Sequence, residues 1–342
     1  MSPNSPKVSI ILPFKNSAKT MQSCISSIKA QSLKDWELLA VNDHSSDDSF
    51  SRSSSILAKD KRIRILQNDG EGLVDAINFG IKKSSSQIIA RMDADDRMHR
   101  DRLRLQIEYL EKNFDVGLVS SLVRHVKIGN HNTNGFQSYV DWINQTISFK
   151  DILMNRFTES PLAHPSIMIR KELFFKFGFY KNGEFPEDYE LWLRLLEKGV
   201  RFEKLNKYLL EWHDSETRLS RNDKRYKLSS FQMLKAHYLK KWLLSQIHKD
   251  IPIHAWGYGK FAKQQARYLL DEGIEITCIY EIDKKKINRS KLSIPVVHFQ
   301  TVPKPGRCFI LVLIGKGKVR GKISNFLKSK GYVNGINFLL VA

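Results

Sequence analysis

The chain has 342 residues, of which 42% are hydrophobic and 27% are charged, a composition typical of globular proteins with packed cores. Its length exceeds what one compact core usually carries, so we expect two domains. The formal net charge of +20 favours anionic partners, but no basic run interleaved with aromatic residues occurs, and no nucleic-acid partner is expected.

Three features bear on where the protein works. The longest purely apolar run, residues 308–314, is far below the roughly 20 residues that span a bilayer. The N-terminus MSPNSPKVSI lacks the pattern of a secretory signal, so we expect a cytoplasmic protein. Cys24, Cys278 and Cys308 form no CxxC pattern, and we interpret them as reduced thiols.

The first half of the chain alternates short apolar runs with helical segments. VSIILPF, ELLAV, RIRILQ and QIIARM predict strands, and helices are expected over residues 17–31 and 73–83. This alternation predicts an α/β fold with a layered, parallel sheet. In such a sheet, ligands bind at the carboxyl ends of the strands, so the residues that end each strand are the candidates for a site.

Polar and acidic residues follow three of these strands. Pro13 and Asn16 follow the first strand, Asp43 follows the second, and the run Asp93-Ala94-Asp95-Asp96 follows the fourth. Three carboxylates so close together repel one another unless a cation neutralises them, and Mg²⁺ or Mn²⁺ prefers such oxygen ligands. The alternative interpretation is a solvated turn that caps a helix predicted from DDRMHRDRLRLQIEYL.

Seven motifs occur in unbroken order between residues 7 and 222: VSIILPFKN, LLAVNDHSSDD, EGLVDAINFGI, IIARMDADDRMHRDRLRLQIEYLEKN, HPSIMIRKELFFKFGFY, FPEDYELWLRLLEKG and WHDSETRLSR. This set resembles the motifs of family 2 inverting glycosyltransferases. The resemblance implies the GT-A nucleotide-diphospho-sugar transferase fold, a mostly parallel sheet with flanking helices. An ordered set is far more specific than a lone acidic run.

In that family the donor is a nucleotide-diphosphate sugar that lies over the strand ends, and uridine diphosphate is the nucleotide we favour. By this resemblance Asp43 would hydrogen-bond the base, while Pro13 and Asn16 would shape the base pocket. Asp93 would face the ribose and would join Asp95 in holding a divalent cation, Mn²⁺ or Mg²⁺, on the diphosphate.

A second acidic motif resembles the position of the family's catalytic base. Inversion by one displacement needs a single carboxylate that takes the proton of the acceptor hydroxyl, and Asp188 of Glu187-Asp188 would be that base. Leu191, Trp192 and Leu195 follow at helical spacing, so Asp188 is predicted on the buried face of a helix. The alternative is a favourable negatively charged first helical turn.

Further side chains complete the candidate site. His213 would be a metal ligand, the alternative being a surface histidine, and His164 is either an acceptor-side residue or a packed core histidine. Arg218, with Arg221, would clamp the diphosphate from a loop or would belong to a basic loop without that role. Asp96 would lie beside the metal ligands or at a helix N-terminus.

Two positions depart from the family pattern. Many members have an aromatic residue at the position of Lys15, where it stacks on the base. Many also carry an arginine near the diphosphate at the position of Ile77, and Arg91 is the residue that would supply this charge here. The base therefore follows less directly from the resemblance than the reaction does.

We expect three segments along the chain: a glycosyltransferase domain over residues 1–222, a linker helix over 223–248 and a smaller Rossmann-like α/β domain over 249–342. The linker helix would either lie on an anionic membrane or connect the two domains, and we favour the connecting role. Basic residues are more frequent in the last third of the chain than in the rest.

A glycine motif opens the last segment. Gly257, Gly259 and Ala262 match the G-x-G-x-x-G/A fingerprint between a predicted strand and helix, and Glu281 or Asp283 ends the next strand. This turn predicts a Rossmann-like fold. It is either a second nucleotide site or part of a domain used for packing, docking or oligomerisation, and we favour the latter.

The sequence thus predicts a metal-dependent, inverting glycosyltransferase that moves a sugar from a nucleotide diphosphate to a hydroxyl acceptor in surface-polysaccharide or glycolipid assembly. The acceptor would be a glycan or lipid-linked, and the protein would be cytoplasmic or peripheral at the inner face of the membrane. One alternative is a sugar nucleotidyltransferase, although VSIILPFKNS has no glycine-rich loop. The other is a degenerate nucleotide-sugar-binding scaffold, which the intact Asp93, Asp95 and Asp188 disfavour.

Overall fold

The computed structural model describes residues 5–49, 60–289 and 292–342, and these form two compact units. The first unit comprises the described residues up to 149 together with 161–183 and 187–223. The second comprises 150–160, 184–186 and the described residues from 224 onward. The segment expected as a linker helix lies almost entirely in the second unit.

An eight-stranded mixed sheet forms the centre of the first unit. Its strands are β1 (Val8–Phe14), β2 (Trp36–Asn42), β3 (Ile63–Gln67), β4 (Ile88–Arg91), β5 (Arg97–Met98), β6 (Val116–Lys127), β7 (Met168–Arg170) and β8 (Arg201–Asp214). The order is β3-β2-β1-β4-β7-β6-β8-β5. Neighbours are parallel from β3 to β4 and between β6 and β8, and the remaining pairs are antiparallel. The predicted α/β fold is confirmed. The sheet is mixed, with parallel and antiparallel pairs, and not wholly parallel.

Within the described residues up to 222, the α-helices with given bounds are α1 (Met21–Lys29), α2 (Gly72–Lys83), α3 (Arg102–Lys112), α4 (Asn134–Gln145), α5 (Phe149–Asn155), α6 (Glu172–Phe177), α7 (Glu187–Glu197) and α8 (Leu219–Asn222). Helix α5 belongs to the second unit apart from its first residue. A short 3-10 helix, His164–Ser166, precedes β7. The helix predicted across the acidic run begins only at Arg102, because the two-residue strand β5 comes between them.

The first core packs both faces of β1, whose seven residues are all buried. One face joins the apolar sides of α1 and α3, where Ile25 and Ile107 belong to the same buried cluster as Ile10. On the other face α2 approaches so closely that a Cβ added at Gly80 would lie 2.8 Å from Ile11 Cγ2. Helices on both sides therefore hold the carboxyl end of β1 in place beside those of β2 and β4.

The second unit contains a five-stranded sheet. Its strands are β9 (Ile253–Trp256), β10 (Ile276–Glu281), β11 (Val296–His298), β12 (Phe309–Val312) and β13 (Phe338–Leu340), in the order β11-β10-β9-β12-β13. Every neighbouring pair is parallel. Its helices are α9 (Leu228–Gln246), α10 (Lys260–Asp271) and α11 (Gly317–Ser329). The Rossmann-like prediction is confirmed for this unit.

Helix α9 is the segment for which a membrane surface was one of two interpretations. Its buried residues include Gln232, Lys235 and Leu239, and the Lys235 ammonium donates to the carbonyl of Thr158 at 3.2 Å. The helix thus packs within the second unit along much of its surface. None of the described helices combines the length and the apolar character needed to cross a membrane.

Candidate active site

The acidic run lies at the carboxyl end of β4, in the loop that leads into β5. One carboxylate oxygen from each of Asp93, Asp95 and Asp96 lies within 4.8 Å of the others. Asp96 is fully buried, and its Oδ2 atom has no hydrogen-bond partner among the described residues. We call these three residues the acidic cluster.

Buried groups beneath the loop fix its position. The Cys24 thiol of α1 donates to the carbonyl of Asp93 at 3.3 Å, and the Arg91 guanidinium donates to Asp93 Oδ1 at 2.6 Å. Arg102, buried at the start of α3, donates to the carbonyls of Arg91 at 3.0 Å and Ile167 at 3.2 Å. Arg91 thus neutralises one carboxylate of the cluster directly, whereas the sequence had assigned its charge to the donor diphosphate.

The electrostatics of the acidic cluster match those of a cation site. Burial, followed by the charges of Asp95 and Asp93, raises the pKa of Asp96 well above its usual range. Burial, followed by the charge of Asp93, also raises the pKa of Asp95, and Arg218 opposes this. Hard oxygen atoms that are crowded, buried and partly unpartnered fit a divalent cation such as Mg²⁺ or Mn²⁺.

His213, at the end of β8, lies beside the cluster without belonging to it. Its backbone N–H donates to Asp96 Oδ1 at 2.8 Å, and its ring Nδ1 lies 2.5 Å from the carbonyl oxygen of Asp95. Since a carbonyl only accepts, Nδ1 carries a proton, and Nε2 is the ring nitrogen that remains to face a further ligand. Asp96 therefore lies beside the other two carboxylates and joins the loop after β4 to the end of β8 through its bond to His213. It does not lie at a helix N-terminus, because α3 begins six residues later.

Asp214, the last residue of β8, is surrounded by arginine and histidine side chains and has no exposed surface. Arg221 donates to both of its carboxylate oxygens at 2.7 Å, and the side chains of His125 and His131 lie within 3.5 Å of Oδ2. Because Arg221 is committed to this pair, it is not available as the diphosphate clamp that the sequence suggested.

Arg218 is placed differently from Arg221. Its guanidinium lies over the rings of Phe136 and Trp212, with centroid distances of 4.6 and 4.8 Å. The Nη1 atom is buried, stands 3.8 Å from Asp214 Oδ1 and has no hydrogen-bond partner among the residues described. It also lies close enough to Asp95 and Asp96 to counter their raised pKa values. A charged donor without a partner beside the acidic cluster suits a phosphate oxygen.

Asp188 lies in the first turn of α7, where its Oδ1 accepts the N–H of Tyr189 at 2.7 Å. Burial, then the charge of Glu187 and, more weakly, that of Asp93 raise the pKa of Asp188 to about 8. The contribution of Asp93 places Asp188 within electrostatic reach of the acidic cluster. Asp188 keeps partial contact with solvent, whereas Glu187 is buried, so Asp188 is the carboxylate open to a substrate.

A buried polar chain stands behind Asp188. His164 Nε2 lies 2.9 Å from the Tyr180 hydroxyl, and His164 Nδ1 lies 3.9 Å from Glu187 Oε1. Burial and the charge of Arg91 hold the pKa of His164 well below its usual value, so the ring is neutral. His164 also packs edge-on against Trp192, which makes it a packed core histidine that supports α7.

Asp43, the residue predicted to bind the nucleotide base, forms hydrogen bonds and an ion pair with its neighbours. Asp43 is buried, and its Oδ1 accepts from Asn68 Nδ2 and from the N–H of Gly72, both at 2.9 Å. Its Oδ2 faces Lys15, whose ammonium lies 3.9 Å away. Oδ2 therefore remains the atom of Asp43 with capacity for a further hydrogen bond.

Asn16 and Pro13 hold the edge of the same region. Asn16 has φ +50°, and its side-chain oxygen accepts the N–H of Ser46 at 2.8 Å, so it fixes the loop after β2. Pro13 lies in β1 beside Val41 of β2. Both residues shape this end of the sheet, and residues 50–59 lie outside the described residues.

The glycine turn of the second unit joins β9 to α10. Gly257 has φ +112°, and a Cβ there would lie 2.5 Å from Ile314 Cδ1, so glycine is required by the chain itself. Both carboxylate oxygens of Glu281 accept backbone N–H groups, including that of Tyr258 at 3.0 Å. Glu281, one of the two acids considered for contact with a ribose, is thus used to brace the turn.

Gly259, in contrast, precedes α10 with open space where its Cβ would stand, and Ala262 is buried against the turn.

Three residues that support the candidate active site of the first unit were not predicted from the sequence. Arg102, Tyr180 and Asn68 carry no motif of their own, although Arg102 lies within the run IIARMDADDRMHRDRLR.

Comparisons with known proteins bear on this geometry. A family model described as glycosyl transferase family 2 matches residues 9–177. An Escherichia coli relative, UDP-Gal:alpha-D-GlcNAc-diphosphoundecaprenol beta-1,3-galactosyltransferase, is 27% identical over 248 residues, which are 70% of this chain and 84% of its own. The chain spans only 31% of the length of three other curated relatives.

Two solved structures share the fold. One is S. aureus TarS 1-349 in complex with UDP-GlcNAc, with a TM-score of 0.55, 14% identity, and 78% of this chain and 71% of that chain covered. The other is the mannosyltransferase PcManGT from Pyrobaculum calidifontis in complex with GDP-Man and Mn²⁺, with a TM-score of 0.50, 16% identity, and 70% and 64% covered. The predicted GT-A fold is confirmed.

Proposed function

The chain belongs to glycosyltransferase family 2 through its N-terminal part, and from this premise we propose that it transfers a sugar from a nucleotide diphosphate to an acceptor hydroxyl with inversion. One observation carries the proposal. Asp188 lies within electrostatic reach of Asp93, and we propose that this proton acceptor and the acidic cluster, which suits a cation, border one cleft. A sugar between them would have its leaving group on one side and its attacking hydroxyl on the other.

Donor binding would use the ends of β1, β2 and β4. We propose that Asp43 Oδ2 accepts a hydrogen bond from the base, in the pocket bounded by Pro13 and Asn16, and that Asp93 lies next to the ribose. Uridine is the base we favour, and the Escherichia coli relative named for a UDP-galactose donor supports this choice. Lys15 is exposed at the mouth of this pocket, where its charge would attract a nucleotide phosphate.

The residues that would hold a divalent cation are Asp93 and Asp95, with Asp96 behind them and the free Nε2 of His213 as a further candidate. Mn²⁺ or Mg²⁺ bound there would neutralise the negative charge that develops on the departing diphosphate. Arg218 would donate its unpartnered Nη1 to a phosphate oxygen on the same side. Arg91 would hold the Asp93 carboxylate in position through the bond already described.

Proton transfer would fall to Asp188. A carboxylate with a pKa near the working pH is an effective general base, because it is available to take a proton and is basic enough to remove one. Glu187 would raise this pKa, and the neutral His164 would support α7, without either side chain touching the substrate. Since one base completes the displacement, no covalent intermediate is required.

We propose surface-polysaccharide or lipid-linked glycan assembly as the setting. The Escherichia coli relative is named for an acceptor that is a sugar on diphosphoundecaprenol, which supports a lipid-linked acceptor. A lipid-linked acceptor would place the reaction at a membrane, and we propose its cytoplasmic face. For the second unit we propose a packing or docking role, because Glu281 and Gly257 are both used to build the turn.

Calorimetric titration of the full chain with UDP, with and without MnCl₂, tests the proposal. We expect Mn²⁺ to tighten UDP binding at least about tenfold in the wild type and to have no effect on Asp95→Ala. Asp115→Ala, which removes an exposed carboxylate outside the cluster, should behave as the wild type. Metal-dependent affinity that survives in Asp95→Ala would refute the cation site, and an absence of nucleotide binding would refute the function.

A further inference from the structure

A depression of about 230 Å³ opens on the first unit beside the acidic cluster, where β5, β6 and β8 meet. Its walls are mainly basic, and its floor is apolar. The lining side chains are Arg97, Met98, His99, Arg100, Arg124, Tyr208, Leu210 and Glu211. Met98 and Leu210 are buried, whereas the arginines and Tyr208 are exposed. We call this surface the basic depression.

A β-bulge assembles one wall of the basic depression. In the pairing of β6 with β8, Leu122 faces Tyr208 and the next residue, Val123, faces Leu210, so Leu209 is the extra residue. The bulge brings Tyr208 onto the same face as Arg124 and its partner Glu211. The Arg124 guanidinium lies 6.0 Å from the centroid of the Tyr208 ring, which agrees with this placement.

Charge in the basic depression is largely uncompensated. Arg97 lies 3.7 Å from Glu211, which is half exposed. The side chains of Arg100 and Arg124 form no hydrogen bond or ion pair with any other residue that the structure describes. Three guanidinium groups therefore face one carboxylate. Arginine is the side chain that matches phosphate geometry with two parallel hydrogen bonds, and an exposed tyrosine ring suits the face of a sugar.

The basic depression adjoins the acidic cluster of the proposed reaction centre. Arg97 directly follows Asp96 in the chain, and Glu211 lies on the same face of β8 as His213, with 4.0 Å between Glu211 Oε2 and His213 Nε2. We have proposed that the donor diphosphate binds at the acidic cluster, and His213 lies between that cluster and Glu211. An anionic group bound in the basic depression would therefore be part of the sugar acceptor and not of the donor.

We propose that the basic depression is an acceptor subsite that binds a phosphate or diphosphate group of the acceptor through Arg100 and Arg124, with Tyr208 against the adjoining sugar. This inference rests on the proposed function and extends it by giving the acceptor's chemical class. An acceptor that carries a phosphate next to its sugar would be selected over the same sugar without phosphate.

Two synthetic probes test this subsite: N-acetylglucosamine joined to a decyl chain through a diphosphate, and the decyl glycoside without phosphate. Their dissociation constants are measured on the full chain with UDP and MnCl₂ present. We expect the diphosphate probe to bind about tenfold more tightly to the wild type, and added salt to weaken that probe alone. Arg100→Glu with Arg124→Glu should abolish the preference.

The matched control is Arg267→Glu with Arg289→Glu, which makes the same charge change at two exposed arginines of the second unit and should keep the preference. Loss of the preference in the double variant, with UDP binding unchanged, supports the subsite. Equal binding of the two probes to a wild type that binds UDP overturns the subsite alone, and failure to bind UDP overturns the proposed function.

Vesicles distinguish a headgroup from the acceptor's own phosphate. Binding to phosphatidylcholine vesicles is compared with and without phosphatidylglycerol. If the double variant loses affinity for anionic vesicles but keeps its preference for the diphosphate probe, the basic depression contacts a lipid surface and the subsite is refuted. If the probe preference is lost, the acceptor phosphate is the ligand, whatever the vesicles do.

Discussion

Asp188→Asn should slow catalysis and at the same time make the folded protein more stable at alkaline pH. Removing the general base should slow sugar transfer by about 10²- to 10⁴-fold while leaving UDP binding intact. At the same time the amide should stabilise the fold at alkaline pH, because the wild-type carboxylate is held in an environment that disfavours its charge.

The magnitude and sign follow from the pKa of Asp188, which burial, then Glu187 and Asp93, raise from an ordinary 3.8 to about 8. The folded state binds the proton more tightly than the unfolded chain, so wild-type stability falls as pH rises from the lower value to the higher one. The full shift would correspond to about 6 kcal/mol. Solvent reaches part of the side chain and screens this cost, so we expect a gain of ~2 kcal/mol for the variant above about pH 8.

Urea unfolding of wild type and variant at several pH values between about 4 and 9 measures this difference, and UDP release measures turnover. The two proteins should be equally stable near pH 4 and diverge as pH rises. Asp115→Asn, an exposed carboxylate in the same unit, provides the control and should show no such divergence. Normal turnover by Asp188→Asn, or a stability difference that ignores pH, would refute the reasoning.

Three further predictions concern supporting residues. Arg102→Met should lower the free energy of unfolding, measured with urea, by about 3 kcal/mol, because two buried carbonyls lose their donor. The control Arg104→Met, at an exposed position of the same helix, should lower it by less than about 1 kcal/mol, and equal losses would contradict this prediction. Gly257→Ala should lower the free energy of unfolding by about 2 kcal/mol, because residue 257 has φ +112°. Gly259→Ala should leave this free energy unchanged, because the space around its Cβ is open. A larger loss for Gly259→Ala than for Gly257→Ala would contradict the described geometry of the turn. The imidazole signals of His164 should not titrate between about pH 5.5 and 8 in NMR spectra, and a titration there would contradict its neutral, buried state.

Local patterns in the sequence predicted the centre of the first sheet. The strand VSIILPF was bounded correctly because a continuous apolar run ending at a polar turn is typical of a strand buried on both faces. The position of Asp93 at a strand end followed from the same reasoning. Strands β5 and β7, with two and three residues, are too short to produce a periodic signal, so the antiparallel part of the sheet was not predicted.

Contacts between distant parts of the chain account for what the sequence left open. Asp96 was assigned to a helix N-terminus or to the surroundings of a metal, and its bond to the backbone of His213 joins residues 117 positions apart. Arg218 and Arg221 carried equal weight as phosphate clamps in the sequence. The pairing of Arg221 with Asp214, together with the rings that hold Arg218, distinguishes them only in three dimensions.

Strand β8 links the parts of the proposed mechanism. His213 braces the acidic cluster and Asp214 holds the loop that carries Arg218, while Glu211 and Tyr208 line the basic depression. Side chains alternate between the two faces of a strand, so only the extra residue at Leu209 lets Tyr208 share a face with Glu211. Deleting Leu209 would turn Tyr208 away while keeping the strand beyond it in register. The structure therefore predicts that this deletion impairs recognition of the acceptor phosphate and leaves UDP binding unchanged, which probe and nucleotide titrations would measure in one protein.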